Sequence, residues 1–203
     1  MVKDSVTAVI PTHPARWRTT MRRALRSVIA QTHPVDSISI ATDTQCQGAG
    51  PTRDRALAGA DTEWVAFLDS DDEWEPTHIA ELLQCARETG ADVVYPRCRV
   101  FHPDLGVIPP SDPHWEEWGR PGKPFDGELL RQRSYIPVTS LVRTSLAQQS
   151  SFASPSGSHY DDWGFYLTLL DLGAWFTHLP IVTWTWHHGP QCTSGQPDRG
   201  DAV

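Results

Sequence analysis

Apolar runs of strand length alternate with segments of helical periodicity through the first half of the chain. Four such runs predict strands: residues 6–10, 37–42, 64–68 and 92–95. Three intervening segments predict helices: residues 17–29, 53–60 and 76–89. Residues 11–14 contain two prolines and are expected to end the first strand, and Gly90 is expected to end the last helix. This alternation predicts an α/β fold with a mainly parallel central sheet flanked by helices.

The pattern changes near residue 102. Residues 102–123 are rich in Pro, Gly and Trp and show no period, which is typical of a long functional loop. Beyond this loop, strands are predicted at residues 138–142, 175–179 and 182–186, and a helix at 161–172. The chain is also irregular at 150–160.

Three carboxylates directly follow the apolar run at residues 64–68: Asp69, Asp71 and Asp72. Like charges repel and burial opposes ionisation, so acids at the end of a core strand are costly unless a cation offsets them. Oxygen ligands suit Mg²⁺ or Mn²⁺, and ligands of open α/β sheets bind beyond the carboxyl ends of the strands. The segment therefore predicts a metal site for a phosphorylated substrate. A turn or a helix cap is the structural alternative, and it stays open.

Composition restricts the class of protein. The 203-residue chain has a net charge of −8, which argues against binding to a nucleic-acid backbone. No run approaches the roughly 20 apolar residues of a transmembrane helix, and we expect neither a transmembrane segment nor a signal peptide. The four cysteines are scattered, which favours reduced thiols. We therefore expect a cytoplasmic protein.

Two groups of side chains allow more than one interpretation. The polar face of the helix predicted over residues 17–29 carries several arginines, which we interpret as a solvated face rather than a phosphate site: Arg18, Arg22, Arg23 and Arg26. Trp115 and Trp118 in the long loop are candidates for stacking on a sugar ring, although core packing explains most of the nine tryptophans.

Short motifs follow one another along the chain in this order: Pro11-Thr12, Asp43, Arg53-Asp54, Asp69-Ser70-Asp71, Asp161-Asp162 and His187-His188. Each motif alone is weak, but their order resembles that of the family 2 glycosyltransferases of the GT-A fold. In this resemblance Asp69-Ser70-Asp71 corresponds to the family's Asp-x-Asp element. The resemblance covers nearly the whole chain. It implies one GT-A-type, Rossmann-like domain over residues 1–203. About residues 1–100 would bind the nucleotide sugar, and about residues 101–203 would supply acceptor binding and the catalytic base.

The resemblance implies a role for each motif. The residues expected to bind the nucleotide sugar are Pro11, Thr12, Arg16, Asp43, Arg53, Asp69 and Ser70. Asp71 and His188 are expected to bind Mn²⁺ or Mg²⁺, with His187 as the alternative to His188. Asp162 is expected to be the catalytic base, with Asp161 as the second choice. The structural alternatives are an N-cap for the acid pair and a surface ion pair with Asp54 for Arg53.

The implied activity is that of a metal-dependent, inverting glycosyltransferase of hexosyltransferase type. The expected donor is a nucleotide sugar, with a UDP-sugar favoured. The acceptor hydroxyl could belong to a glycan, a lipid-linked molecule, a protein or a small molecule. The irregular segments at 102–135 and 150–160 are expected to bind this acceptor. Two other functions stay open, namely a non-catalytic nucleotide-sugar-binding domain and a sugar nucleotidyltransferase. Nucleotidyltransferases usually carry a Gly-rich phosphate loop after the first strand, and residues 11–14 contain no glycine.

Overall fold

The computed structural model describes residues 4–17, 20–108, 123–153 and 161–188. The strands in this part of the chain are β1 (Val6–Thr12), β2 (Ser37–Thr42), β3 (Trp64–Phe67), β4 (Glu73–Trp74), β5 (Val93–His102), β6 (Gly106–Ile108), β7 (Leu141–Arg143) and β8 (Phe176–His187). The helices are α1 (Met21–Ile29), α2 (Ala49–Leu57), α3 (His78–Thr89), α4 (Gly127–Gln132), α5 (Thr144–Ala147) and α6 (Asp161–Asp171). A 3₁₀ turn, Pro14–Arg16, lies between β1 and α1.

The eight strands form one sheet in the order β2-β1-β3-β7-β5-β8-β4, and β6 pairs with β5 outside this path. β1 is parallel to both β2 and β3, and β5 is parallel to β8. The short strands β4, β6 and β7 add antiparallel pairs. Most of the ladder therefore lies in parallel pairs, and the predicted single α/β domain with a mainly parallel sheet is confirmed.

Both faces of the central strands are covered, which explains their continuous apolar sequence. Alternate residues of β3 enter two separate core clusters, with Trp64 and Ala66 on one face and Val65 and Phe67 on the other. Helices α1 and α3 pack on the first face, and α2, α4, α5 and α6 pack on the second. The sheet is therefore the middle layer of three.

Several element boundaries differ from the sequence-based prediction. β1 continues through Pro11 to Thr12 instead of ending before the proline. α1 begins at Met21 rather than at residue 17, and its last residue, Ile29, is 75% exposed. The two closing strands predicted near the C-terminus form one continuous strand, β8. The strand continues past Pro180 through a shift in its register with β5. Leu179 and Val182 pair with consecutive residues of β5, so Pro180 lies in an irregularity that needs no ladder hydrogen bond.

Two further observations concern the composition. No helix in the described ranges combines the length and the apolar character needed to span a bilayer. The thiols of Cys46, Cys85 and Cys98 are free, whereas Cys192 lies outside the described residues.

Phe165 of α6 is fully buried in the aromatic packing between α6 and the sheet. Its ring stacks on Phe152, with centroids 3.9 Å apart, and meets the edge of Phe67 at 5.6 Å. We predict that Phe165→Ala lowers the free energy of unfolding by about 3–5 kcal/mol, because the cavity opens in a fully buried cluster. Urea denaturation measures this loss. Leu172→Ala is the control, since Leu172 is 44% exposed; equal losses in the two variants would contradict the packing argument.

Candidate active site

The carboxyl ends of β1, β2 and β3 meet at one edge of the sheet. The Asp43 amide donates to the carbonyl oxygen of Thr12 at 2.7 Å, and the Leu68 amide donates to that of Val9 at 3.1 Å. These bonds bring Pro11, Thr12, Asp43 and the acidic segment after β3 to the same edge. Three of the predicted motifs, which lie between residues 11 and 71 of the sequence, are therefore brought to one edge of the sheet, as expected for parallel strands.

A tight turn gathers the acids that follow β3. The Asp72 amide donates to the Asp69 carbonyl oxygen at 3.0 Å, and oxygens of Asp69, Asp71 and Asp72 all lie within 4.8 Å of one another. Ser70 is buried in the same turn. α3 begins only at His78, after Thr77, so these acids do not cap that helix and the helix-cap alternative is wrong.

The acidic turn is electrostatically strained. Burial raises the pKa of the Asp71 carboxyl above its usual value, and the charge of Asp69 raises it further. The pKa of Asp72 is raised well above its usual value by burial, followed by the charges of Asp71 and Asp69. A divalent cation among these oxygens would oppose both effects, so the residues fit the metal that the sequence predicted.

Arginines from two other segments pair with the turn. Arg53 of α2 contacts Asp69 at 2.7 Å, and Arg16 of the 3₁₀ turn contacts Asp71 at the same distance. Arg53 is only 4% exposed, so the alternative that it forms a surface pair with Asp54 is wrong. From α1, Arg23 donates to the backbone oxygen of Asp71. Both predicted arginines therefore lie beside the predicted Asp-x-Asp element.

Asp43 is buried at the end of β2, at the same edge of the sheet. Its carboxylate accepts the amides of Gln47 and Gly48 at 2.9 and 2.8 Å. Burial alone would raise the pKa of Asp43, but the backbone donors outweigh it, and the pKa falls below the usual value. The Thr12 hydroxyl, at the end of the neighbouring strand, is buried and has no hydrogen-bond partner among the residues described. An ionised acceptor and an unused hydroxyl are suited to a polar ligand.

Asp162, the predicted base, lies on the first turn of α6. Its carboxylate accepts the Trp163 amide at 2.9 Å. One turn later, the buried Tyr166 hydroxyl lies 2.7 Å from the Ser140 hydroxyl, next to β7. Burial raises the pKa of Tyr166, and the charges of Asp162 and Asp69 add to the increase. The side chain of Asp161 lies outside the described residues.

The end of β8 closes against the acidic turn. The His187 amide donates to the Asp72 carboxylate at 2.9 Å, and the His187 ring lies 3.0 Å from Glu73. The His188 amide instead donates to the Phe101 carbonyl oxygen, and its ring packs 5.0 Å from that of Trp186. His187 thus has the structural link to the turn, and metal binding by His188 stays a prediction. Trp115 and Trp118 lie outside the described residues.

A family model described as glycosyl transferase family 2 matches residues 37–149. The chain belongs to glycosyl transferase family 2. The matched range includes Asp43, the Arg53-Asp54 motif on α2 and the acidic turn, but not α6 or the end of β8. The proposed base and the two histidines therefore lie beyond the matched range.

Solved structures share the fold of this family 2 chain. S. aureus TarS 1–349 superposes with a TM-score of 0.68 at 16% identity, over 90% of this chain and 60% of that one. Its complex with UDP superposes with a TM-score of 0.65 at 17% identity, over 92% of this chain and 61% of that one. Its complex with UDP-GlcNAc superposes with a TM-score of 0.64 at 16% identity, over 91% of this chain and 58% of that one. This chain thus spans about three fifths of the length of those structures. No curated protein matches it.

Asp54 of this glycosyltransferase family member anchors a segment distant in sequence, a role that was not predicted from the sequence. Its carboxylate accepts the Phe152 and Ala153 amides at 2.8 and 3.1 Å and the Ser151 hydroxyl at 2.6 Å. The neighbouring Arg53 guanidinium lies 4.8 Å from the centre of the Phe152 ring. The Arg53-Asp54 motif was visible in the sequence, but partners almost 100 residues away leave no local signal.

We predict that Asp54→Ala speeds exchange of the Phe152 and Ala153 amide protons by about tenfold or more, because both amides lose a charged acceptor. Hydrogen exchange followed by NMR measures this directly. Asp61→Ala is the matched control, since Asp61 is exposed on the loop after α2. Unchanged exchange in Asp54→Ala would show that residues 151–153 are held by other contacts.

Proposed function

We propose that this protein is a metal-dependent, inverting glycosyltransferase that moves a sugar from a UDP-sugar to an acceptor hydroxyl. The observation that carries the proposal is the cluster of three carboxylates within 4.8 Å at the carboxyl end of β3. Membership of glycosyl transferase family 2 supports the transferase activity. A UDP-sugar donor is favoured because S. aureus TarS, which shares the fold, has been solved with UDP and with UDP-GlcNAc.

The nucleoside of the donor would bind at the ends of β1 and β2. The ionised Asp43 carboxylate can accept hydrogen bonds from a base or a ribose, and the Thr12 hydroxyl offers a further contact. Pro11 and Ser70 would contact the donor at the same edge of the sheet. Asp69 would accept a ribose hydroxyl at the start of the acidic turn.

The diphosphate of the donor would lie between the acidic turn and the arginines. Arg16 and Arg53 pair with Asp71 and Asp69 at 2.7 Å, so their guanidinium groups are already positioned at this edge of the sheet. Guanidinium binds phosphate oxygens in the same bidentate manner as carboxylate oxygens. Either arginine can therefore exchange a carboxylate partner for a phosphate without leaving the site.

Asp71 would be the principal ligand of Mn²⁺ or Mg²⁺, with Asp69 beside it and His188 as a further ligand. The cation would stabilise the negative charge that develops on the leaving diphosphate. Asp72 has a different task, since its buried carboxylate accepts the His187 amide. It would hold the end of β8 against the turn.

Asp162 would accept the proton of the acceptor hydroxyl as that oxygen attacks the anomeric carbon. It lies on the first turn of α6, whose buried Phe165 and Tyr166 fix the helix against the sheet. A base on the side opposite the leaving group leads to in-line displacement and to inversion of the anomeric centre. Glycan, lipid-linked, protein and small-molecule hydroxyls are all compatible with this chemistry.

The metal assignment predicts that Asp71→Asn weakens Mn²⁺-dependent binding of UDP by at least about tenfold, since a neutral amide is a poor ligand for a hard cation. Titration calorimetry with and without Mn²⁺ measures the effect. Asp61→Asn, which alters an exposed acid away from the turn, should bind as the parent protein does. Unchanged Mn²⁺ dependence in Asp71→Asn would contradict the metal assignment.

The base assignment predicts that Asp162→Asn lowers the transfer rate by about 10²–10⁴-fold, the usual contribution of a positioned general base. UDP binding should persist, because the donor contacts lie on other elements. Stability should also persist, because Asn keeps the shape of Asp and its amide oxygen can still accept the Trp163 amide. Asp171→Asn, at the far end of α6, is the control, and Asp161→Asn should cost less than Asp162→Asn.

The transfer assay needs an acceptor, which a screen of hydroxyl compounds for sugar incorporation would supply. Near-normal transfer by Asp162→Asn would exclude it as the base and favour Asp161. Release of pyrophosphate instead of UDP would indicate a nucleotidyltransferase. Donor binding without transfer to any acceptor would favour a non-catalytic binding domain.

A further inference from the structure

A groove of about 810 Å³ lies between α1 and the edge of the sheet formed by β4, β5 and β8. Four arginines line it: Arg22, Arg23 and Arg26 from α1, and Arg99 from β5. None of the residues assigned to the nucleotide sugar, the metal or the base belongs to this lining. The lining of the groove therefore does not overlap the residues of the proposed donor site, although Arg23 reaches from the groove to the backbone oxygen of Asp71.

The charge in the groove is positive although the chain as a whole has a net charge of −8. Two glutamates also line the groove, and each already has a partner. Glu75 pairs with Arg99 at 2.5 Å, and Glu73 lies 3.0 Å from the His187 ring. Arg22 and Arg26 are one helical turn apart and exposed, and neither has an ion pair or a hydrogen bond within the described ranges. Two adjacent guanidinium groups therefore face the groove without a counter-charge.

The walls of the groove are fixed by contacts of their own. The Trp74 amide of β4 donates to the Ser27 hydroxyl of α1 at 3.0 Å, and the Trp74 side chain is buried. Arg23 is held by the backbone oxygen of Asp71. Because β4 and α1 are joined in this way, the arginines of α1 keep their position relative to Arg99, and the groove is preorganised for a ligand.

We propose that this groove binds a phosphate-bearing anion, independently of the nucleotide sugar. Guanidinium groups bind the several oxygens of phosphate in bidentate pairs, and three α1 arginines opposite Arg99 can surround a multiply charged group. The interpretation of the α1 arginines as a solvated face is the alternative that the test decides, and Arg18 lies outside the described residues. The phosphate could belong to a soluble molecule or to a lipid headgroup, and the chemistry that recognises it is the same.

The test uses inorganic pyrophosphate as the probe, in EDTA, so that no divalent cation takes part. Titration calorimetry on the full chain should give saturable binding. The double variant Arg22→Gln/Arg26→Gln should weaken this binding by at least about tenfold, since two charge-assisted contacts are lost. Arg131→Gln is the matched control, because Arg131 is a helix-surface arginine paired with Asp171 at 2.8 Å. It should bind pyrophosphate as the parent protein does.

A second measurement separates the groove from the donor site. Saturating UDP should leave pyrophosphate binding in place, and Mn²⁺-dependent UDP binding should be unchanged in Arg22→Gln/Arg26→Gln. If that double variant binds pyrophosphate as tightly as the parent, or if UDP displaces the pyrophosphate, the proposal is overturned. The same holds if the parent shows no saturable binding in EDTA. None of these outcomes depends on sugar transfer, so they do not decide the proposed function.

Vesicles identify the source of the phosphate. Sedimentation with phosphatidylglycerol vesicles, compared with phosphatidylcholine vesicles, tests a lipid headgroup. Binding to the anionic vesicles that is lost in Arg22→Gln/Arg26→Gln and displaced by pyrophosphate supports the groove with a lipid source. Pyrophosphate binding without vesicle binding supports the groove with a soluble source.

Discussion

Mutual repulsion among Asp69, Asp71 and Asp72 is the constraint around which this edge of the molecule is organised. The three carboxylates lie within 4.8 Å of one another, and Asp72 is only 3% exposed. Such an arrangement is unfavourable without compensating charges and donors. The compensation comes from four separate elements, because the 3₁₀ turn, α1, α2 and β8 each send one donor to the turn. The acids therefore fix the relative positions of elements that are distant in sequence.

Helix α2 extends this organisation into the C-terminal half. Arg53 and Asp54 are adjacent in sequence but have different partners, since Arg53 pairs with Asp69 and Asp54 binds residues 151–153. Phe152, in that segment, stacks on Phe165 of α6. One dipeptide thus connects the acidic turn to the helix that carries Asp162. A residue that supports catalysis in this way need not touch either substrate.

The features that follow from local pattern could be predicted from the sequence. Continuous apolar runs gave the central strands, and Gly90 ends α3 with a left-handed φ of 72°. The acids after β3 pointed to a site because carboxylates are costly at the end of a buried strand. Contacts between distant polar residues left no such signal, which is why the pairing of Arg16 with Asp71 and the anchoring by Asp54 emerge only from the structure. The continuity of β8 through Pro180 was missed for a similar reason, since the irregularity that tolerates the proline depends on pairing with β5.

The balance of charge at the acidic turn favours a donor and a metal that bind together over either one binding alone. Three carboxylates are opposed by the guanidinium groups of Arg16, Arg23 and Arg53. A divalent cation alone would add positive charge beside these arginines, and a diphosphate alone would add negative charge beside the acids. If both bind together, the cation can take over the carboxylates while Arg16 and Arg53 turn to the phosphates, and the balance is kept. The arginine pairs are therefore consistent with a site that is stable before the donor arrives and that accepts metal and nucleotide sugar as one unit.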